Sequence, residues 1–157
     1  MRSNLVLLFA LAGLAAGCEP LRGVVSEKET SEPVDLACVD ATLRKAFGKI
    51  ERWDYASDGN GFSNGTKVAQ FAYFHSVDGR GWATLEIGSA GSTTRIVHSF
   101  TAIGAKIPEQ DFPLAFQMMD KAAAALQAIC KLDLRDMSTK SVGQRVESLK
   151  HARPSGS

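Results

Sequence analysis

An α+β domain is the fold this sequence predicts: an antiparallel four-stranded meander, with an N-terminal helix and a long C-terminal helix packed on the sheet. Three observations predict it. Apolar residues recur every three or four positions near both ends of the folded part, which is the period of a half-buried helix. Between them lie alternating runs separated by Asp-Gly and Gly-Ser turn pairs, which is the pattern of short antiparallel strands. About 140 residues follow the apolar N-terminal stretch, room for one core but not comfortably for two.

The elements follow in chain order. Leu36, Val39, Leu43, Phe47 and Ile50 form one stripe, with Pro33 ahead and Gly48 near the end, as in an amphipathic helix. Ile50 to Ala56 reads as a short strand, Lys67 to Val77 as a second, Trp82 to Ile87 as a third and Thr93 to Ile103 as a fourth. The intervening SDGNGFSNG, DGRG and GSAGS are turns. A tight turn at Gly79-Arg80 sets Phe74 opposite Leu85 and Ala72 opposite Ile87 on the core face. Phe112, Ala115, Phe116, Met119, Ala122, Ala123, Leu126 and Ile129 form the strongest helical stripe, with Asp111 placed as its N-cap. A weaker helix is expected over residues 138–150 through Val142, Val146 and Leu149. Domain boundaries are therefore read as a single domain over residues 34–150, preceded by a polar, flexible tether over 18–33 and followed by a disordered tail over 151–157.

Residues 1–17 have the layout of a secretory signal: a basic start at Arg2 and an uncharged apolar run from Leu5 to Ala16, too short to span a bilayer. The run closes on Ala15-Ala16-Gly17-Cys18, which resembles the lipobox of bacterial lipoproteins. That resemblance implies cleavage before Cys18, a diacylglycerol on its thiol and an acyl chain such as palmitate on the new amino terminus. Covalent lipid contributes about 0.8 kcal/mol per buried CH₂, so two or three chains anchor the protein firmly. The expected location is the bacterial cell envelope, facing the periplasm, and Glu19 in place of Asp favours the outer over the inner membrane. Read from the residues alone, the run also fits an ordinary cleaved signal, with Cys18 then joining a disulfide, or a signal-like run that is never cut.

Export places Cys38 and Cys130 in an oxidising compartment, where a disulfide between them is expected. The long loop it closes would stabilise the fold by roughly 4 to 5 kcal/mol in the chain-entropy model. Cys38 lies off the apolar stripe of its helix, which counts against the pairing; two buried free thiols are the alternative.

Eighteen basic residues stand against seventeen acidic ones, a balance that suggests no nucleic-acid partner. The three histidines do not converge: His75 points away from the core face, His98 shares that face with Ile96 and Phe100, and His151 lies in the tail. No metal or cofactor is therefore expected. Asp58, Asn60 and Asn64 have calcium-like spacing but too few carboxylates for a calcium loop. GSAGS lacks the spacing of a nucleophile elbow, and Glu86 and Asp54 are single acids on strands, so no catalytic set emerges and the chain is read as non-enzymatic.

The remaining feature is the second sheet face. Phe71, Tyr73, His75 and Val77 on one strand and Trp82, Thr84 and Glu86 on the next make it aromatic where a one-sided sheet is normally polar. Phe71, Tyr73, His75 and Trp82 are the expected binding surface, with a covering helix as the alternative. Anchor, tether and one disulfide-closed domain together resemble, in organisation, the small periplasmic lipoproteins that neutralise antibacterial toxins or envelope-degrading hydrolases. The expected partner is such a protein. The competing readings are a structural or assembly lipoprotein of an envelope or secretion machine, and a small-ligand or lipid-binding module.

Overall fold

The computed structural model describes residues 20–55, 61–62, 65–76 and 78–150. The signal region, Cys18, the turn residues Asp58, Asn60 and Asn64, Val77 and the tail with His151 lie outside them. The elements in order are β1 (Leu21–Thr30), α1 (Leu36–Phe47), β2 (Glu51–Asp54), β3 (Gly61–Phe62), β4 (Gly65–His75), β5 (Trp82–Ala90), β6 (Thr93–Ile103), α2 (Phe112–Cys130) and β7 (Arg135–Val142). Short 3₁₀ turns precede α2 and close the described chain at Glu147–Lys150.

The α+β class, the antiparallel sheet and the long C-terminal helix are as expected, but the sheet is wider. Six strands run in the order β2-β4-β5-β6-β1-β7, and the two-residue β3 pairs with the start of β4. The four expected strands are β2, β4, β5 and β6; β1 and β7 extend the sheet beyond β6. Two expectations are thereby corrected. The segment read as a tether over 18–33 is for most of its length β1, paired with β6 on one side and β7 on the other, so the domain begins near residue 20 rather than at 34. The weak helix read over 138–150 is instead β7 followed by a loop and a 3₁₀ turn.

Both helices pack on one face of the sheet. The short α1 is capped by Asp35, whose carboxylate accepts from Ala37 N–H at 2.8 Å, and ends at Gly48, whose N–H donates to Arg44 O at 2.8 Å. It buries Val39 and Leu43 against the sheet. Phe112, Ala115, Met119, Ala122, Ala123 and Leu126 form the buried stripe of α2, whereas Ile129 is half-exposed and Asp111 makes no side-chain cap bond. Pro113 in the first turn costs α2 little, because the N–H it lacks would have had no helical acceptor.

Cys38 and Cys130 form a disulfide with Cα atoms 5.9 Å apart, closing 92 residues of sequence. The placement of Cys38 off the apolar stripe has a simple cause. α1 has two neighbours: Val39 and Leu43 meet the sheet, while Cys38 and Thr42 meet the end of α2, with Thr42 Oγ1 3.4 Å from Cys130 Sγ.

The strand register explains which side chains the helices cover. Across the core face run Phe74, Ala83, Phe100, Val24 and Ser141; then Phe71, Leu85, His98, Ser26 and Thr139; then Ala69, Ile87, Ile96, Lys28 and Asp136. Each row is apolar on β4 and β5 and turns polar farther along, at His98 of β6 in the second row, at Lys28 of β1 in the third and at Ser141 of β7 in the first. α2 lies over β5 and β6, so the sheet overhangs it on the β7 side and needs no apolar cover there.

Candidate functional site

The binding surface expected from sequence is split between the two faces. Phe71 and Tyr73 are buried in the core, while His75 and Trp82 lie exposed on the opposite face with ring centroids 6.3 Å apart. The cause is a β-bulge. Ala72 pairs with Thr84 and Phe74 with Ala83, leaving Tyr73 as an extra residue between them. A bulge turns two successive side chains to the same side, so Tyr73 and Phe74 both face the helices and the residues from Ala69 to Ala72 change face; a second irregularity at Val68 returns Lys67 to the side opposite the helices. Phe74 therefore stays on the core face as expected, beside Phe100 at 6.0 Å. Its partner is Ala83 rather than Leu85, and Ala72 faces away from the core instead of meeting Ile87.

The bulge also delivers Tyr73 to a position no spacing rule announced. Its ring packs 4.8 Å from Phe47 of α1, and its hydroxyl lies 3.3 Å from His98 Nδ1. Burial, and secondarily the Asp120 carboxylate, push the Tyr73 hydroxyl far upward, so it stays protonated, and the imidazole tautomer sets which of the pair donates. Burial, with a smaller contribution from the Lys28 ammonium, brings His98 down to about 3, so the ring is neutral.

His98 Nε2 is buried and has no hydrogen-bond partner among the described residues. It lies where the apolar rows turn polar, at a cleft of about 70 Å³ between α2 and the β1–β7 overhang. Ser26, Lys28 and Thr139 line the sheet side, and Phe116, Met119 and Asp120 the helix side. Ser26 and Thr139 hydrogen-bond to each other at 3.0 Å, and Lys28 is ion-paired with Asp136. The cleft therefore offers one imidazole beside two hydroxyls, suited to a compact polar group.

The other sheet face carries neither helix, and its rows are mostly polar. His75, Trp82, Thr101, Gly23 and Val142 make the first; Ala72, Thr84, Ser99, Val25 and Lys140 the second; Trp53, Gln70, Glu86, Val97, Glu27 and Ser138 the third. Charges pair across strands: Lys67 with Glu86 at 2.9 Å, Glu27 with Lys140 at 3.6 Å and with Arg95 at 3.9 Å, and Glu29 with Arg135. Lys67 also donates to Gln70, which accepts from the Tyr55 hydroxyl, both at 2.8 Å. Glu86 is thus a structural ion-pair partner, and Asp54 is held by Arg52 at 2.8 Å.

His75 and His98 fall on opposite faces, as the sequence reading held. Among the described residues no group of three His, Cys, Asp or Glu is arranged to hold a metal ion, and no helix is long and apolar enough to cross a membrane. No family model matches the chain, and neither curated proteins nor solved structures give a match.

Proposed function

We propose that this chain is a non-enzymatic, lipid-anchored protein of the bacterial cell envelope, facing the periplasm and binding another protein through the helix-free face of its sheet. The partner class is an antibacterial toxin, an envelope-degrading hydrolase or a component of an envelope machine. The observation that carries the reading is the make-up of that face. Trp53 stands 44% exposed at one edge, beside rows of ion-paired Glu, Lys and Arg held on a rigid sheet. Exposed Trp is enriched at protein interfaces, where it is surrounded by a polar rim. Acids and bases that could otherwise serve in catalysis, such as Glu86 and Lys67, are committed to one another there.

Affinity capture from envelope extract tests the reading, followed by binding measurements with Trp53→Ala. A soluble toxin-like or hydrolase partner supports an inhibitor or immunity role, and a membrane complex supports an assembly role. Trp53→Ala should weaken either complex by at least about tenfold while leaving the melting temperature unchanged. Unaltered affinity would remove this face from the proposal.

A second reading has its own support. The buried imidazole of His98 at a small cleft favours a small-ligand module. Its imidazole N–H resonance should then shift on titration with short carboxylates or amides, and an unmoved resonance across such a panel would count against it.

A further inference from the structure

We infer that one end of the helix-free sheet face rests on the lipid bilayer, with Leu21, Trp82 and Ile103 seated in the headgroup layer beside the anchor. The inference rests on acylation of Cys18 under the reading above, and it assigns the protein an orientation that the anchor alone does not dictate.

The first support is the position of the chain's last fixed point before the anchor. A tether over 18–33 would have let the domain stand roughly 50 Å from the membrane. In its place the sheet takes up the chain from Leu21, and Pro20 O accepts a hydrogen bond from Gly104 N–H at 3.2 Å. Only Glu19 separates Pro20 from Cys18, and two extended residues reach at most about 7 Å. A lipid on Cys18 therefore brings this end of the sheet to the bilayer surface.

The second support is what this end displays. Leu21 is 44% exposed, Ile103 57% and Trp82 41%. They share one face: Leu21 pairs directly with Ile103, and Trp82 pairs with Thr101, two residues before Ile103 on the same strand and side. Val142, across Gly23 from Thr101, extends the same row. The half of the face farther from Pro20 carries the ion pairs of Glu27, Glu29, Arg95 and Arg135 instead. Apolar side chains are thus gathered at the end where the anchor enters, and the charged rows stand away from it. Trp is suited to this place, because its ring is apolar while its indole N–H finds acceptors among headgroups. Lys106, exposed on the loop after Ile103, adds a cation for anionic phosphates.

The partner surface of the preceding proposal and this contact are compatible. Trp53 lies two rows from Trp82 and two strands across, on the part of the face directed away from the bilayer.

The test uses the mature chain beginning at Cys18, with the Cys38–Cys130 disulfide intact. Its one free thiol is coupled to a maleimide-bearing lipid in phosphatidylethanolamine/phosphatidylglycerol vesicles. With Trp53→Phe, Trp82 becomes the sole tryptophan. On coupling, its emission should shift to the blue, its quenching by aqueous iodide should fall several-fold, and lipids brominated on the acyl chain should quench it. Leu21→Ser with Ile103→Ser should restore most of the iodide access. In the converse variant, Trp82→Phe, the remaining Trp53 should stay as accessible as in the uncoupled protein. Equal iodide access to Trp82 before and after coupling would overturn the inference, as would equal shielding of Trp53. Because the lipid is attached chemically, these outcomes do not depend on processing in the cell. Mass measurement of the N-terminal peptide from envelope protein decides that separately, and an unmodified Cys18 there would refute the anchored reading itself.

Discussion

The Tyr73 hydroxyl and His98 Nδ1 lie 3.3 Å apart beneath the two helices, one supplied by a bulge in β4 and the other by the regular alternation of β6. The pair fixes the side of the sheet on which an aromatic residue counts toward stability. Tyr73→Ala removes a buried ring that touches Phe47 and leaves His98 Nδ1 without its hydrogen-bond partner, so a loss of about 3 to 5 kcal/mol is expected. Trp82→Ala, on the opposite face, should change stability by no more than about 0.5 kcal/mol. Urea unfolding of the two variants gives the comparison, and equal losses would contradict the bulge.

His98 also makes stability depend on pH in a particular window. Its folded value, about 3, lies below the roughly 6.5 of an unfolded histidine. As pH falls through the unfolded value the unfolded chain takes up a proton that the folded chain refuses. Stability is therefore kept above about pH 6.5 and lost progressively toward pH 3, at up to about 1.4 kcal/mol per pH unit. Carboxylates contribute to acid lability too, so the informative quantity is a difference. In His98→Gln the slope between pH 6 and 4 should be shallower than in the parent by a large part of that amount. Identical slopes would mean that the ring is protonated in the folded protein.

The disulfide joins the start of α1 to the end of α2, two elements that also meet at Thr42 and farther along, where Lys121 donates to Ala46 O. Oxidised protein should show no alkylatable thiol at Cys38 or Cys130 by mass spectrometry. Replacing both by Ala should lower stability by about 2 to 5 kcal/mol. The open state most affected is separation of the helix pair, so amide exchange should accelerate first in α1.

How far the fold was legible depended on whether a segment has one apolar face. α1 and α2 do, and their stripes were read nearly to the residue. β5 and β6 lie under α2 and alternate visibly, and β4 lies under α1. β1 and β7 lie in the overhang, where Ser26, Lys28, Thr139 and Asp136 occupy positions that would be apolar under a helix. With polar residues on both faces, LRGVVSEKET looks like a linker although its backbone is paired on both edges. The candidate surface failed for a different reason. A bulge adds one residue to a strand without any change in composition, and that residue moved Phe71 and Tyr73 from one face to the other. His98 on the core face was readable from Ile96 and Phe100. Its partnership with Tyr73 was not, because it depends on the bulge.

The strand hidden in the supposed linker can be tested at Gly23. It has a φ of 142°, which L side chains rarely adopt, and a Cβ there would lie 2.0 Å from the Phe100 carbonyl oxygen. The close approach arises because Gly23 sits between Thr101 of β6 and Val142 of β7, with the neighbouring backbone pressed against it. Gly23→Ala must either displace β1 from β6 or strain the backbone, at a cost of about 1 to 3 kcal/mol. Gly79, in the loop before β5, provides the control. It also has positive φ, 71°, but nothing lies within 4 Å of its missing Cβ, so Gly79→Ala should cost only about 1 kcal/mol. If residues 18–33 were a flexible tether, Gly23→Ala would leave the melting temperature unchanged and Gly79→Ala would be the more damaging of the two. The paired strand requires the reverse order, and thermal unfolding of the two single variants distinguishes the outcomes without knowledge of any partner.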